Sequence, residues 1–165
     1  MTQTNRILGI DPGLRATGWG VIDQAGARLV HVAHGVIRVE PSAPLAVRLA
    51  GIFSEVSALV LTHRPHVAGV EETLVNAGPR SALKLGQARG AAMAALAREG
   101  VAVSEHAPRQ IKLAVVGTGA ADKEQVAFMV QRLLPRAGKM TSDAADALAC
   151  AICAAHFHAA PGRVA

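Results

Sequence analysis

The sequence predicts an α/β fold in which one mixed five-stranded sheet is flanked by helices. Three short apolar segments follow one another near the N-terminus and can form an antiparallel meander. Two further apolar segments alternate with segments whose apolar residues recur at helical spacing, which is typical of parallel strands joined by helices. Folds of this class place their chemistry at strand ends.

The five predicted strands are each bounded by turn-forming or polar residues. They cover Arg6 to Ile10, Thr17 to Ile22, Arg28 to Val39, His66 to Glu71 and Val101 to Glu105. The turn between the first two strands contains Asp11, Pro12 and Gly13, residues that favour a tight reversal of the chain.

Five segments have helical periodicity. They are Pro44 to His63, Arg80 to Glu99, Pro108 to Val116, Asp122 to Leu134 and Ser142 to His156. Neither a repeat nor a linker interrupts the pattern, so we expect a single domain over residues 1–158 and a short C-terminal tail over residues 159–165.

Composition restricts the class of partner. The chain has 165 residues, of which 51% are apolar, and its 17 basic against 12 acidic side chains give a net charge of +5. A basic balance favours a polyanion such as nucleic acid, although proteins that bind nothing charged also have it. We see no apolar run approaching the roughly 20 residues that span a bilayer, and we expect a soluble, cytoplasmic protein.

The two cysteines, Cys150 and Cys153, lie in an alanine-rich segment on nearly one helical face. A zinc site would need further ligands, such as His156 and His158. The alternative, which we prefer, is that both are small buried residues.

Two predicted strands end in carboxylates. Asp11 ends the first strand and can be a metal ligand, although an Asp before Pro-Gly is also ordinary turn chemistry. Glu71 and Glu72 follow the apolar strand VAGV, so one of them should face the active side of the sheet. The alternative is that Glu71 and Glu72 are both exposed to solvent where the strand ends and have no role in a site.

A second acidic pair begins the last helix. Asp143 and Asp146 are three residues apart and share the face that continues with Ala147 and Cys150. Ser142 is the predicted N-cap, and acids in a first turn also stabilise the helix dipole. The helix dipole explains one Asp in the first turn more readily than two that share the buried face of the helix, which favours a functional role for the pair.

The four carboxylates Asp11, Glu71, Asp143 and Asp146 stand out in a chain of net positive charge. Such a cluster suits hard divalent cations, Mg²⁺ or Mn²⁺, that bind phosphate oxygens and activate water. Two ions in one site would need about this many carboxylates. The residues therefore predict a divalent-metal site that acts on a phosphate group, with nucleic acid as the candidate substrate.

Five blocks of the chain resemble the RuvC family of crossover-junction endodeoxyribonucleases, the bacterial Holliday junction resolvases. The blocks are GIDPGLRATGWGVI, VEETL, SALKLGQARG, RQIKLAVVGTG and DAADALACAI, and they cover roughly Ile7 to Ala155. The resemblance implies a ribonuclease-H-like fold in which the four acids bind the metal, and it selects Glu71 over Glu72. It also implies a homodimer that binds four-way junction DNA, symmetric nicks in two strands of like polarity, 5′-phosphate and 3′-hydroxyl ends, and cooperation with the RuvA–RuvB branch-migration proteins.

Basic residues in the matched blocks are candidate DNA contacts. Lys112 and Lys123 fall where the family has basic residues near the scissile phosphate, and Arg80, Lys84 and Arg89 lie on or beside the second helix. Each taken singly could be a solvated surface charge. Leu74 stands where relatives can carry an aromatic wedge, so here an apolar side chain without a stacking ring would contact the junction. The small residues of the second helix could pack across a dimer or inside the monomer.

Other readings of the pattern make different predictions. Actin-like ATPases also follow a strand with D-x-G, but they need a second such domain, for which this chain has no room. A nuclease acting on ribosomal RNA precursors would use similar acids, and the block from Lys112 to Lys123 argues for the junction enzyme instead. A binding module without activity would lack an acid, and none is missing. His106 is expected to be a surface histidine.

Overall fold

The structure is a computed structural model that describes residues 3–72 and 78–159. Within these ranges the strands are β1 (Thr4–Asp11), β2 (Ala16–Ala25), β3 (Arg28–Arg38), β4 (Val67–Glu71) and β5 (Ala102–His106). The helices are α1 (Leu45–His63), α2 (Pro79–Arg98), α3 (Pro108–Val116), α4 (Lys123–Leu133) and α5 (Ser142–Ala159), with a 3₁₀ turn at Pro135–Ala137. The predicted element order is confirmed, with boundaries that move by one to three residues.

The strands form one mixed sheet in the order β3-β2-β1-β4-β5. Strands β1, β2 and β3 pair in antiparallel fashion as a meander, whereas β4 is parallel to both β1 and β5. A bulge between Val21 and Ile22 interrupts the β2–β3 register. Because β1 and β4 are parallel neighbours, their carboxyl ends lie at the same edge of the sheet.

Alternating side chains divide the core into two layers. Leu8, Ile10 and Val70 point toward α1 and α2, and Ile7 and Ile22 point toward α3, α4 and α5. All five side chains are fully buried, so both faces of the central strands are covered. A sheet buried on both faces explains why β1 and β4 read as continuous apolar runs.

Helix α5 lies against the sheet at close range because glycines replace side chains beneath it. A Cβ on Gly9 would meet the carbonyl oxygen of Ala147 at 2.0 Å, and one on Gly18 would meet that of Asp143 at 2.0 Å. No other residue type fits at these distances without moving the helix. The two glycines thereby hold the first half of α5 directly over β1 and β2.

Two local expectations were wrong. The cap of α5 is Thr141 rather than Ser142, because the Thr141 hydroxyl accepts a hydrogen bond from the Ala144 amide at 3.2 Å.

Helix α1, by length and a mean hydropathy of 1.7, is apolar enough to cross a membrane. Its Ile52, Val56 and Val60 are buried in the core, and the other residues of the helix are half-buried or exposed.

Candidate active site

The carboxyl ends of β1 and β4 bring Asp11 and Glu71 side by side. Ile10 pairs with Val70 in the parallel register, so the next residues of the two strands are also neighbours. Strand alternation turns both side chains to the face that carries Gly9 and Gly69, which is the face covered by α5. Glu72, one residue later and beyond the end of β4, is exposed at the same cleft.

The turn after Asp11 is fixed by a threonine. The Thr17 hydroxyl donates to the Gly13 carbonyl at 2.7 Å and accepts from the Gly13 amide at 3.2 Å. Gly13 is required there, since a Cβ would lie 2.2 Å from the Ala16 carbonyl oxygen. Thr17 is 1% exposed, so the turn that positions Asp11 is anchored in the core.

Helix α5 supplies the second acidic pair from its first turn. Asp146 lines the cleft above the strand ends together with Asp11 and Glu71. Asp143 lies one turn earlier, over Gly18, and faces an adjoining groove lined by Lys84 and Arg15. Its charge still reaches Asp11, whose pKa it helps to raise.

The carboxyl groups of Asp11 and Glu71 line the same cleft, and each affects the pKa of the other. Burial, followed by the charges of Glu71 and Asp146, raises the pKa of Asp11 to about 8. Burial and Asp146 also raise the pKa of Glu71, against the opposing effect of Lys123 and Lys112. An anionic cluster of this kind is stable at neutral pH only with a proton or a cation among its members.

Two lysines face the carboxylates across the cleft. Lys112 on α3 and Lys123 at the start of α4 line it opposite Glu71. The Lys123 ammonium forms an ion pair with Asp146 at 3.3 Å, and the pKa of Lys123 is raised chiefly by that carboxylate. The cleft therefore presents acids on one wall and ammonium groups on the other, a pattern suited to a phosphate bound through a metal ion.

The donor set fits a divalent cation. In the described ranges, no three His, Cys, Asp or Glu side chains are already arranged around one point as a metal cage. Burial first, and then the neighbouring carboxylates, raise the pKa of Asp11, and a bound cation would offset both effects. Carboxylate oxygens are the ligands that Mg²⁺ and Mn²⁺ prefer.

The other predicted DNA contacts occupy different positions. Arg80 and Lys84 are exposed on the first turns of α2, beside the groove that contains Asp143. Arg89 is engaged internally, where its Nε donates to the Glu71 carbonyl at 3.1 Å and its guanidinium pairs with Glu105. This geometry supports the end of β4 and leaves little of Arg89 free for phosphate. Leu74 lies outside the described residues.

One further residue contradicts the expectation, one adds to it, and the two cysteines agree with it. His106 is 1% exposed rather than at the surface, packed against Phe157 with ring centroids 4.9 Å apart. Arg15 shares the groove of Lys84 and Asp143, and its position after a Pro-Gly turn was the signal that could have identified it. Cys150 and Cys153 are buried and unpaired, as expected of small core residues.

Comparison with known proteins gives one consistent result. A family model described as crossover junction endodeoxyribonuclease RuvC matches residues 7–154. The chain is 74% identical over 156 residues to the crossover junction endodeoxyribonuclease RuvC of Hyphomonas neptunium, covering 94% of this chain and 93% of the relative. It is 54% identical over 160 residues to that of Caulobacter vibrioides, covering 97% and 95%.

Solved structures agree with the sequence relatives. RuvC of T. thermophilus in complex with Holliday junction substrate superposes with a TM-score of 0.88 at 34% identity, covering 94% of this chain and 95% of that one. A yeast mitochondrial Holliday junction resolvase shares the fold with a TM-score of 0.66 at 14% identity. The predicted ribonuclease-H-like sheet with flanking helices is thus confirmed.

Proposed function

Because the chain belongs to the RuvC family of crossover junction endodeoxyribonucleases, we propose that it resolves Holliday junctions by nicking two strands of like polarity. One observation carries the proposal: Asp11, Glu71 and Asp146 line one cleft together with Lys112 and Lys123, and Asp143 lines the adjoining groove. We propose Asp11, Glu71, Asp143 and Asp146 as the metal-binding catalytic acids.

Family membership implies dependence on a divalent metal. We assign Mg²⁺, with Mn²⁺ as a functional substitute, and two ions per site, in keeping with four hard oxygen donors in a small cleft. When bound, such ions polarise the scissile phosphate, lower the pKa of a water molecule and stabilise the leaving oxyanion.

The side chains of the chain itself prepare the site. Asp11 and Glu71 would hold the cation, and the Thr17 hydroxyl holds the turn that orients Asp11. Lys112 and Lys123 face a phosphate that lies against the acids and offset its charge. Attack of water at phosphorus breaks the bond to the 3′ oxygen, which leaves a 3′-hydroxyl and a 5′-phosphate.

A homodimer follows from the symmetry of the substrate. One active site cuts one strand, so paired nicks on a two-fold symmetric junction are most simply made by a two-fold symmetric protein. The small-residue face of α2 supports this assignment, because added Cβ atoms on Gly86 and Gly90 would meet nothing within 4 Å. Packing inside the monomer therefore does not explain these two glycines, whereas close approach of a second α2 does.

The setting of the reaction follows from the same family. We propose that the chain acts as one nuclease domain in the cytoplasm, during recombination and DNA repair, together with the RuvA–RuvB branch-migration complex. Arg80 and Lys84 are the phosphate contacts that we propose on α2, on the ground of their exposure beside the cleft. Leu74 is proposed as an apolar contact to the junction.

The direct test is a cleavage assay on a synthetic mobile four-way junction and a linear duplex of the same sequence. Wild type and Asp146→Asn are compared with Mg²⁺ and with chelator. We expect paired, ligatable nicks at the junction with Mg²⁺ and none in the variant. Junction binding without cleavage in any metal would overturn the nuclease assignment, and equal cleavage of linear duplex would overturn the substrate.

A further inference from the structure

The free edge of the sheet carries a basic face away from the catalytic acids. Two adjoining grooves lie between β3 and the connection from α4 to α5, and together we call them the β3 edge face. Its charged side chains are Arg28 and Arg38 from the two ends of β3, Arg132 from the last turn of α4, and Arg136 and Lys139 from the connection. His31 and His34 join the two grooves through a hydrogen bond of 2.8 Å.

The five positive charges of the β3 edge face are unopposed. Among the residues that line its two grooves there is no Asp or Glu. The ion pairs of residues 3–72 and 78–159 involve Arg6, Arg89 and Lys123 as the cations, and none of the five. All five are exposed. The β3 edge face is therefore a basic surface with no acidic side chain among its lining residues.

Protection of an edge strand explains only part of this charge. Basic side chains on an edge discourage pairing with another chain, which accounts for Arg28 and Arg38. Arg132, Arg136 and Lys139 are not on the strand, yet they project into the same grooves from the opposite wall. At the other edge of the sheet, by contrast, Glu105 is neutralised by Arg89. Edge protection alone would not require both walls to be basic.

The dimensions of the β3 edge face match double-stranded DNA. Ten residue steps from Arg28 to Arg38 at ~3.4 Å each give a length of about 34 Å, which is close to one helical turn of B-form duplex. Flexible basic side chains without carboxylates suit a uniform row of phosphates rather than a shaped ligand. An acidic protein segment would supply less regular charge over the same length.

One end of the face reaches the catalytic end of the molecule. Arg38 pairs in register with Ala16, and the groove around it is also lined by Thr141 and Ala144, which flank the start of α5. Asp143 lies within that same first turn. A duplex whose strand enters the catalytic cleft can therefore continue along β3 without leaving the protein surface.

We propose that the β3 edge face binds the phosphate backbone of one duplex arm of the junction, over about one helical turn and without reading bases. This inference rests on the proposed function. It adds to it a second DNA-binding surface, distinct from the contacts of Lys112, Lys123 and α2.

The test measures DNA binding in chelator, so that cleavage plays no part. The variant Arg136→Gln/Lys139→Gln removes two charges from the face. The matched control, Arg64→Asn/Arg98→Gln, removes two charges from the α1 and α2 layer, where Asn tolerates the left-handed backbone of residue 64 (φ 50°). Affinity is measured against salt concentration for a four-way junction with arms about two helical turns long.

We expect the face variant to weaken junction binding about tenfold at moderate salt and to lower the salt slope by about two, whereas the control leaves both near wild type. Hydroxyl-radical footprinting should show about one turn of protection along an arm, lost in the face variant. A face variant that matches the control in slope and footprint overturns the inference and points to another partner class. A wild type with no preference for junctions would instead overturn the proposed function.

Discussion

The ammonium of Lys123 lies 3.3 Å from a carboxylate oxygen of Asp146, across the cleft that separates the start of α4 from the first turn of α5. A carboxylate that we assign to the metal is thus also the partner of a lysine. The lysine is 80% exposed and the carboxylate 23% exposed, so the ion pair is screened on one side and readily rearranged. Metal and lysine therefore compete for Asp146.

Replacing the lysine should separate metal binding from cleavage. In Lys123→Gln we expect Mn²⁺ to bind about two- to fivefold more tightly, since an exposed pair is worth up to ~1 kcal/mol. Junction cleavage should fall at least about tenfold, because a positive charge beside the phosphate is lost. Calorimetric Mn²⁺ titration and single-turnover cleavage measure the two effects, with Arg98→Gln as the control. Weaker Mn²⁺ binding in the variant would contradict the competition.

Stability should depend on pH through Asp11. Its pKa is about 8 in the folded chain against an ordinary value of 3.8, so between these values the folded chain holds a proton that the unfolded chain has released. The free energy of unfolding therefore falls as pH rises through this window and levels off above it. Thermal unfolding in chelator measures the slope, which Asp11→Asn should largely abolish. An unchanged slope in the variant would be inconsistent with a buried acid pair.

Glu71 and Glu72 form a matched pair for testing the assignment of the acid on β4. Glu71→Gln should lower the rate of junction cleavage at least about a hundredfold while junction binding in chelator persists. Glu72→Gln removes the same charge one residue away, on an exposed side chain, and should retain cleavage near the wild-type rate. Equal losses in both variants would show that net charge, rather than the Glu71 position, matters.

Gly18→Ala tests the close contact beneath α5. The new methyl would lie 2.0 Å from the Asp143 carbonyl oxygen, so the start of the helix must move. We expect a loss of about 1–3 kcal/mol in urea unfolding together with reduced cleavage. Ser54→Ala, at an exposed position in the interior of α1, should instead be neutral or slightly stabilising. A Gly18→Ala protein as stable as wild type would refute the contact.

The proposed dimer makes a prediction at α2. Gly90→Leu places a bulky side chain where the folded monomer leaves open space, so the monomer should fold while dimerisation weakens. Analytical ultracentrifugation measures the association, and circular dichroism confirms that the helices are retained. The control is Leu113→Ala on α3, an exposed position away from α2. A variant that dimerises like wild type would exclude this face of α2.

The fold could be predicted from the sequence because the patterns that specify its strands and helices lie within short segments of the chain. Apolar runs and the Pro-Gly turn after Asp11 were enough to predict β1, β2 and β3 as a meander, and alternation with helices predicted parallel β4 and β5. Asp11 and Glu71 were predicted at strand ends, and the parallel register of β1 and β4 places those two ends side by side.

What the sequence did not predict depends on tertiary contacts. Burial of His106 requires Phe157 from the far end of α5, fifty-one residues later in the chain. The engagement of Arg89 with Glu105 requires α2 to lie beside β5. The β3 edge face requires the α4–α5 connection to run along β3. None of these neighbours is implied by spacing within a segment.

The positions of the acids on α5 depend on glycines in the sheet beneath it, because a glycine has no side chain to push the helix away. Asp143 and Asp146 stand on a helix whose height above the sheet is set by bare backbone at Gly9 and Gly18. The charge of the site can be altered by exchanging an acid. The distance between α5 and the sheet cannot be increased in small steps, because even the methyl group of an alanine at Gly9 or Gly18 is too large. Redesign of this enzyme for other substrates can therefore exchange the side chains that line the cleft, but it must keep Gly9 and Gly18 beneath α5.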